Sequence, residues 1–225
     1  MQGTYHYWMN GTLSGITETF RINTNDQADT VIESERNAPI FNSRIAAKAF
    51  YKNGHISHFE IEWENGNEGA VQFANAHYQF TSDTILVTRD IDGGHFLETL
   101  PMPEVSVVFP LLRVFTGRTI RETFELGKGI RVPVLVPNIK DPNDKVQLLA
   151  LELDMRFATA ITQDTVSIDN KEHQAQTYRF TGGSYDETAK FWIDENDILL
   201  KYEWQQDDIF WEVKLTNLTT ETPSH

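Results

Sequence analysis

The chain has 225 residues and is acidic, with 33 Asp and Glu against 19 Lys and Arg and a net charge of −14. This length is typical of one β-barrel or β-sandwich domain, and the 40% hydrophobic content excludes a disordered chain. The negative charge repels phosphate backbones, so nucleic acid is not expected as a partner, and the absence of cysteine excludes disulfides, thiolate nucleophiles and zinc fingers.

The N-terminal part of the chain is predicted to form antiparallel strands. Three strands are expected at 4–9, 12–23 and 30–37. A hairpin follows, in which Ala47–Tyr51 leads through Asn53-Gly54 into His55–Glu64. The Asn-Gly pair favours a type I′ turn, because both central residues of that turn need a positive φ. Along the second strand of the hairpin Phe59, Ile61 and Trp63 share one face, and acidic residues occupy the other.

The middle of the chain contains the one segment without clean alternation. Strands are predicted at 70–80 and 84–90, and the segment 103–126 is predicted to form one or two short helices after two prolines. We expect this segment to lie against the open mouth or the concave face of the sheet. Its apolar stretch, Val105–Phe115, contains Pro110 and Arg113 and is too short to cross a bilayer, so no transmembrane segment is predicted.

The C-terminal part shows the clearest strand pattern. Strands are predicted at 129–137, 146–158, 164–169, 175–181, 189–193, 198–204 and 209–216. The alternation in Leu200–Trp204 matches that in Phe59–Trp63, which suggests an internal duplication into related halves 1–100 and 127–218. The alternative is that two half-buried hairpins are alike by chance.

These elements predict a mainly β fold. We expect a single β-rich domain spanning 1–225, in which a long antiparallel meander curves into a barrel or half-barrel. The 12% aromatic content is ample for a large core, or for a core together with an aromatic-lined pocket.

A resemblance to a known family is carried by the C-terminal strands. The order from Tyr178-Arg179-Phe180 through Phe191-Trp192-Ile193-Asp194 to Leu199–Glu203 resembles bacterial lipoprotein-carrier-type (LolA-like) domains and related uncharacterised families. In those domains a strand ending in a Trp-x-Asp turn leads to a strand that begins with an apolar pair. The resemblance covers about a fifth of the chain. It implies an incomplete barrel with helical pieces plugging an apolar cavity.

The N-terminus differs from that family. Met1–Trp8 reads as the start of a strand, with neither a charged nor an apolar leader region, and no lipid-attachment cysteine follows. As written, the chain is therefore expected to be cytoplasmic. The alternative is a mature periplasmic form whose leader was replaced by a methionine.

Glu18 is the first candidate catalytic residue. The chain has no nucleophile elbow, phosphate loop, dinucleotide fingerprint or zinc-protease motif. Glu18 lies on the same strand face as Ile16, Phe20 and Ile22, and a carboxylate on an apolar face must be paired or have a raised pKa. We interpret it as an acid, a base or a polar anchor. The alternatives are a polar rim position or a salt bridge with an arginine such as Arg113 or Arg121.

His95 is the second candidate, at a turn where Asp90 and Asp92 could fix its tautomer and raise its basicity. The alternative is an Asp-Gly hairpin turn with a flanking histidine. His55, His58 and Glu60 contain metal-binding groups, but residues three apart on a strand face opposite sides. No metal site and no cofactor are predicted.

A concave aromatic site is the preferred functional hypothesis. A curved sheet of this size encloses either side chains or one small ligand, and aromatic walls with a few polar groups suit a ligand. The candidate ligand-binding residues are Trp8, Trp63, Tyr78, Arg113, Trp192 and Trp204. The function predicted is binding of a hydrophobic or aromatic small molecule. The alternative is a hydrolase, lyase or isomerase that uses Glu18, His95 or Asp90 in the same cavity, and a buried Glu or His within reach of the ligand would favour it.

Overall fold

The computed structural model describes residues 1–220 and contains fifteen strands, one α-helix and one short 3₁₀ turn. The strands are β1 (Gln2–Met9), β2 (Thr12–Thr24), β3 (Thr30–Ala38), β4 (Ser43–Lys52), β5 (His55–Asn65), β6 (Phe73–Phe80), β7 (Thr84–Ile91), β8 (Gly94–Pro101), β9 (Val107–Val108), β10 (Val132–Pro137), β11 (Leu151–Ile168), β12 (Lys171–Thr181), β13 (Lys190–Ile193), β14 (Leu199–Gln206) and β15 (Ile209–Thr219). The 3₁₀ turn is Pro39–Phe41 and the helix, α1, is Arg113–Gly127.

All fifteen strands belong to one sheet in the order β8-β7-β6-β5-β4-β3-β2-β1-β15-β14-β13-β12-β11-β10-β9. Apart from β8 and β9, strands that follow one another in the chain are neighbours in the sheet, and the first strand pairs antiparallel with the last. Only β9 and β10 pair in parallel. The strands β8 and β9 form two free edges, so the sheet is an open, curved half-barrel. This confirms the predicted mainly β meander.

The two faces of the sheet differ because side chains alternate along each strand. Across β4 and β5, Ile45 lies opposite Trp63 and Ala49 lies opposite Phe59, and all four are buried. The other face carries charges in the same register, such as Arg44, whose Nη1 lies 3.0 Å from a carboxylate oxygen of Glu64. The concave face therefore holds the core.

The tight turns agree with the sequence prediction. Asn53 and Gly54 have φ values of 51° and 79°, and Asn10 and Gly11 have 49° and 78°. Two consecutive positive φ values are what a type I′ hairpin turn requires. These turns set the register of the strands that they join.

Two pieces of chain fill the concave face. The helix α1 packs against β9, β10, β11, β13 and β14. Its Gly117 lies against the backbone of Asp197, where a Cβ atom would collide with the carbonyl oxygen. The loop 138–150 covers the other half of the sheet. Two hydrogen bonds hold it there: the Tyr78 hydroxyl donates to the Leu149 carbonyl at 2.5 Å, and Arg89 Nη1 donates to the Leu148 carbonyl at 2.8 Å.

The predicted helical segment is confirmed only in its second part. Residues 103–112 are not helical, and Val107–Val108 form the short parallel strand β9. The β-branched valines favour a strand, and Pro110 delays the helix start until Arg113. Among the described residues no helix is long and apolar enough to cross a bilayer.

Several strand boundaries also differ from the prediction, and one strand was missed. Residues 146–150 form turns in the covering loop, and the strand at 164–169 is the end of the 18-residue strand β11. The edge strand β8 was not predicted, because its exposed polar and apolar residues leave no continuous dry face. Edge strands bury less side-chain surface than central ones, which weakens their pattern in the sequence.

Candidate functional site

A partly open cavity of about 340 Å³ lies on the concave face, between the sheet, the start of α1 and the loop 138–150. Its walls combine six aromatic residues with polar and aliphatic ones and include two arginines. They comprise Tyr7, Ile16, Arg36, Ala38, Phe41, Ser43, Trp63, Asn65, Asn67, Arg113, Ile139, Pro142, Tyr202, Trp204, Gln206 and Trp211. No carboxylate or imidazole group belongs to this wall.

A second cavity of about 320 Å³ adjoins the first. The two cavities share the wall residues Arg36, Arg113, Ile139, Trp204 and Gln206. They are therefore two compartments of one cleft. The second compartment contains two carboxylates, and each has a cationic partner: Glu152 lies 2.6 Å from Lys140 Nζ and Asp154 lies 3.1 Å from Arg156 Nη2.

The aromatic wall is built from strands that are distant in the sequence. Trp204 of β14 lies opposite Trp211 of β15 in the strand register, and Trp63 reaches the same cavity from β5. Trp63 and Trp204 occupy matching positions in the two hairpins that share a sequence pattern. The ring of Tyr185 lies 5.1 Å from that of Trp204 in an edge-to-face arrangement, which is favourable for aromatic pairs.

Two arginines lie in the part of the cleft that both compartments share. Arg113 is the first residue of α1; its Nη1 donates to the Tyr185 hydroxyl at 2.8 Å, and its guanidinium carbon lies 4.8 Å from the centroid of the Tyr202 ring. Arg36 follows Ile32 and Ser34 on the inner face of β3, where it lies opposite Ile45 of β4. The guanidinium group of Arg113 is thus held against aromatic rings.

Glu18 is completely buried, and its carboxylate binds the beginning of α1. Its Oε1 accepts from the backbone N–H groups of Arg113 at 2.5 Å and Val114 at 3.3 Å, and from the Ser34 hydroxyl at 3.2 Å. Its Oε2 accepts from the Tyr7 hydroxyl at 2.9 Å. Burial, followed by the charge of Glu18, raises the pKa of Tyr7 far above its ordinary value, so this phenol remains a donor.

The arrangement at Glu18 differs from the salt bridge considered from the sequence. The carboxylate is paired with the backbone of Arg113, while the side chain of Arg113 points to aromatic rings. A carboxylate at a helix N-terminus satisfies unpaired N–H groups and interacts favourably with the helix dipole. Glu18 lies behind the cleft and is not a wall residue of either compartment.

The structure brings together three of the six residues proposed to bind a ligand. Trp63, Arg113 and Trp204 all line the first compartment. Tyr78 is fully buried beneath the covering loop and stacks on Phe59 with ring centroids 4.2 Å apart. It belongs to the core rather than to the cavity wall.

The other two residues proposed to bind a ligand, Trp8 and Trp192, lie on the outer face of the sheet. The ammonium group of Lys214 lies 5.2 Å from the ring centroid of Trp8, and Lys201 lies 4.8 Å from that of Trp192. The indole N–H of Trp192 donates to Asp164 at 3.0 Å. Side chains on this face have no access to the concave cleft.

His95 and Asp90 form a close pair at 2.8 Å, as the turn sequence suggested. Both side chains are more than half exposed, on the outer face near the free edge β8, whereas Glu18 is on the inner face. The structure therefore does not bring these three candidates into one site. Within residues 1–220 no group of three or more His, Asp and Glu is placed to hold a metal ion.

The wall residues that sequence reasoning did not select as ligand-binding include Tyr7, Arg36, Tyr202 and Trp211. Arg36 had a usable signal. It alternates with Ile32, Ser34 and Ala38 on the inner face of β3, so it is a charged group on an otherwise dry face, like Glu18. The three aromatic residues gave no such signal in the sequence, because an aromatic residue in the core and one in a cavity wall give the same strand pattern.

Comparison with known proteins supports the fold. The structure is similar to the crystal structure of a β-barrel-like protein of a domain of unknown function, DUF1849, from Brucella abortus. The TM-score is 0.58 with 10% sequence identity, and the match covers 98% of this chain and 97% of that chain. At this identity the likeness shows a barrel-like fold alone. The sequence matches no protein-family model and has no significant match among curated proteins.

Proposed function

We propose that this protein binds a hydrophobic or aromatic small molecule in the cleft on the concave face of its sheet. The observation that carries the proposal is the wall of the first compartment, where Trp63, Trp204 and Trp211 converge from three strands. Ligand pockets are concave and mostly apolar, with a small number of polar groups that orient the ligand. The wall provides six aromatic side chains for the apolar part of a ligand and six polar ones, among them Arg36 and Arg113, for its orientation.

The size of the cleft supports the same proposal. The first compartment has about 340 Å³, within the range of roughly 300 to 1,000 Å³ that small-molecule pockets occupy. The second compartment adds about 320 Å³ on the far side of Arg36 and Arg113. An elongated ligand that extends through both compartments fits this arrangement better than a compact one.

The surroundings of the titratable groups favour binding over acid–base catalysis. A general base needs a free lone pair within hydrogen-bond reach of its substrate. The two carboxylate oxygens of Glu18 accept from four donors behind the cleft, and the pair of His95 and Asp90 lies on the outer face. No observation in the cleft favours a hydrolase, lyase or isomerase.

The resemblance to lipoprotein-carrier-type domains points in the same direction, since it implies a half-barrel whose helical piece covers an apolar cavity. In this chain α1 and the loop 138–150 pack against the concave face of the sheet. The net charge of −14 argues against nucleic acid as the partner.

A fluorescence titration with the neutral dye N-phenyl-1-naphthylamine tests this function. The dye should bind with an increase in emission, and Trp63→Ala and Trp204→Ala should each weaken binding by about tenfold, because an aromatic anchor typically contributes more than 1 kcal/mol. Trp8→Ala is the matched control, since this indole lies on the outer face and its loss should leave dye binding unchanged. The proposal fails if the folded protein does not bind the dye, or if all three variants bind it equally.

A further inference from the structure

The arginines of this chain divide into two groups by their partners. Most of them have a carboxylate within 4 Å, namely Arg44, Arg89, Arg118, Arg121, Arg156 and Arg179. Arg21 and Arg131 are exposed to solvent. Arg36 and Arg113 are partly buried, and no carboxylate among residues 1–220 lies within 4 Å of their side-chain nitrogens. Partly buried guanidinium groups without a counter-charge are unfavourable, because burial removes hydration that nothing replaces.

These two arginines lie in the same place. Both belong to the walls of both compartments, and both influence the same phenols. Burial raises the pKa of Tyr7 and of Tyr202, and the positive charges of Arg113 and Arg36 oppose that rise at each of them. Two like charges are thus concentrated in one cleft of an acidic protein. Glu18 is engaged with the helix N-terminus, and Glu152 and Asp154 of the second compartment are paired with Lys140 and Arg156. None of these three carboxylates forms a direct ion pair with Arg36 or Arg113.

The cleft also contains an excess of hydrogen-bond donors. The indole nitrogens of Trp63, Trp204 and Trp211 and the Nε of Arg113 are enclosed and have no hydrogen-bond partner in the described part of the chain. All four side chains belong to the wall of the first compartment, and Trp63 is only 8% exposed. A wall with surplus donors and two cations complements a ligand that carries acceptor oxygens and a negative charge.

We propose that the molecule bound in the cleft is an organic acid, with its apolar or aromatic body against the tryptophans and its carboxylate between Arg36 and Arg113. This inference rests on the proposed binding function. A carboxylate there neutralises two guanidinium groups that otherwise repel each other, and it can accept a bidentate pair of hydrogen bonds from a guanidinium group. The apolar surroundings strengthen that interaction relative to water.

Displacement of N-phenyl-1-naphthylamine by two matched probes tests the inference. 2-Naphthoic acid and 2-naphthalenemethanol have the same ring, but only the acid is ionised at pH 7. The acid should displace the dye at a concentration about tenfold or more below that of the alcohol. Raising the salt concentration should weaken binding of the acid and leave binding of the alcohol unchanged. The salt dependence is measured on the unaltered protein and requires no variant to fold.

Three variants then test whether the charges of Arg36 and Arg113 cause the preference for the acid. Arg36→Gln and Arg113→Gln should each remove most of the preference for the acid over the alcohol, measured as the ratio of the two displacing concentrations in the same variant. Arg36→Lys retains the charge and should keep most of the preference. Arg131→Gln, at an exposed arginine outside the cleft, is the control and should have no effect.

The outcomes separate the two proposals. If the dye binds but the acid displaces it no better than the alcohol, the inference about the acid is wrong and the binding function stands. The same holds if Arg36→Gln and Arg113→Gln both keep the full preference for the acid. If the dye does not bind, the function fails and the inference fails with it. If the unaltered protein prefers the acid and both glutamine variants lose that preference, the inference is supported.

Discussion

Glu18 Oε1 accepts a hydrogen bond from the backbone N–H of Arg113 at 2.5 Å, although the two residues are 95 positions apart in the chain. The residue that precedes the helix, Leu112, has no side chain that can cap it. Strand β2 therefore supplies the cap for α1. Because Arg113 is also a wall residue of the cleft, the same contact fixes the position of one of its two arginines.

Removing the cap should destabilise the protein. In Glu18→Ala, two backbone N–H groups and the Tyr7 hydroxyl lose their acceptor inside the core, and we expect a loss of about 3 kcal/mol in the free energy of unfolding. Glu18→Gln keeps one acceptor oxygen but loses the charge at the helix N-terminus, so a loss of about 1–2 kcal/mol is expected. Urea denaturation monitored by circular dichroism measures both.

Glu68→Ala is the control for these variants, because this glutamate is exposed and its carboxylate forms no hydrogen bond or salt bridge among the described residues. It should change the free energy of unfolding by less than about 0.5 kcal/mol. A Glu18→Ala variant as stable as Glu68→Ala would show that the cap contributes nothing.

Arg89 should hold the loop 138–150 in place. Its side chain is 2% exposed, donates to the carbonyls of Val146 and Leu148 at 2.8 Å each and pairs with Glu98. In Arg89→Leu both carbonyls lose their donor, so we expect a loss of about 2–4 kcal/mol and faster limited proteolysis within the loop. Arg131→Ala provides the comparison at an exposed site. Unchanged proteolysis of the Arg89 variant would contradict this role.

Gly117 should be required for the close approach of α1 to the turn between β13 and β14. Alanine is a better helix former than glycine by about 1 kcal/mol, so propensity alone predicts that Gly117→Ala stabilises the helix. A Cβ atom would, however, collide with the carbonyl oxygen of Asp197, and we expect a net loss of about 1–3 kcal/mol. Thermal unfolding of this variant and of Glu125→Ala, at an exposed helical position, distinguishes steric collision from propensity. A raised Tm for Gly117→Ala would refute the close contact.

Asp92 should stabilise the protein in a pH-dependent way. The N–H groups of Phe73 and Gln72 and the ammonium group of Lys145 hold the pKa of this carboxyl below its ordinary value of 3.8. The unfolded chain therefore binds the proton more readily, so the stabilisation is complete above pH 3.8 and is lost as the pH falls through the lower, folded-state pKa. Asp92→Asn keeps an acceptor oxygen and tolerates the φ of 45°, yet it removes the charge.

We expect Asp92→Asn to be less stable than the parent at pH 7, with the difference shrinking below pH 3.8. Urea denaturation at pH 7, 5 and 3 measures this trend. Asp26→Asn serves as the reference, because Asp26 is exposed and its carboxylate forms no hydrogen bond or salt bridge within residues 1–220. If the difference in the free energy of unfolding between the parent and Asp92→Asn grew as the pH fell, the lowered pKa of Asp92 would be wrong.

Much of the fold could be predicted because strand patterns are local. The alternation in Phe59–Trp63 and Leu200–Trp204, and the turn at Asn53-Gly54, follow from which side chains avoid water and which residues accept a positive φ. The position of Glu18 on a dry face was also evident, as was its need for a partner. The identity of that partner was not evident, since nothing in the sequence near Glu18 indicates the N-terminus of α1.

The cleft itself was decided by the tertiary structure. Trp63, Trp204, Trp211, Arg36 and Arg113 come from four strands and one helix, and only the curvature of the sheet and the pairing of β1 with β15 bring them together. Trp8 and Trp192 have equally suitable side chains and lie on the outer face. A sequence specifies the period of each strand, but which face becomes concave, and which helix and loop cover it, depends on packing summed over the whole chain.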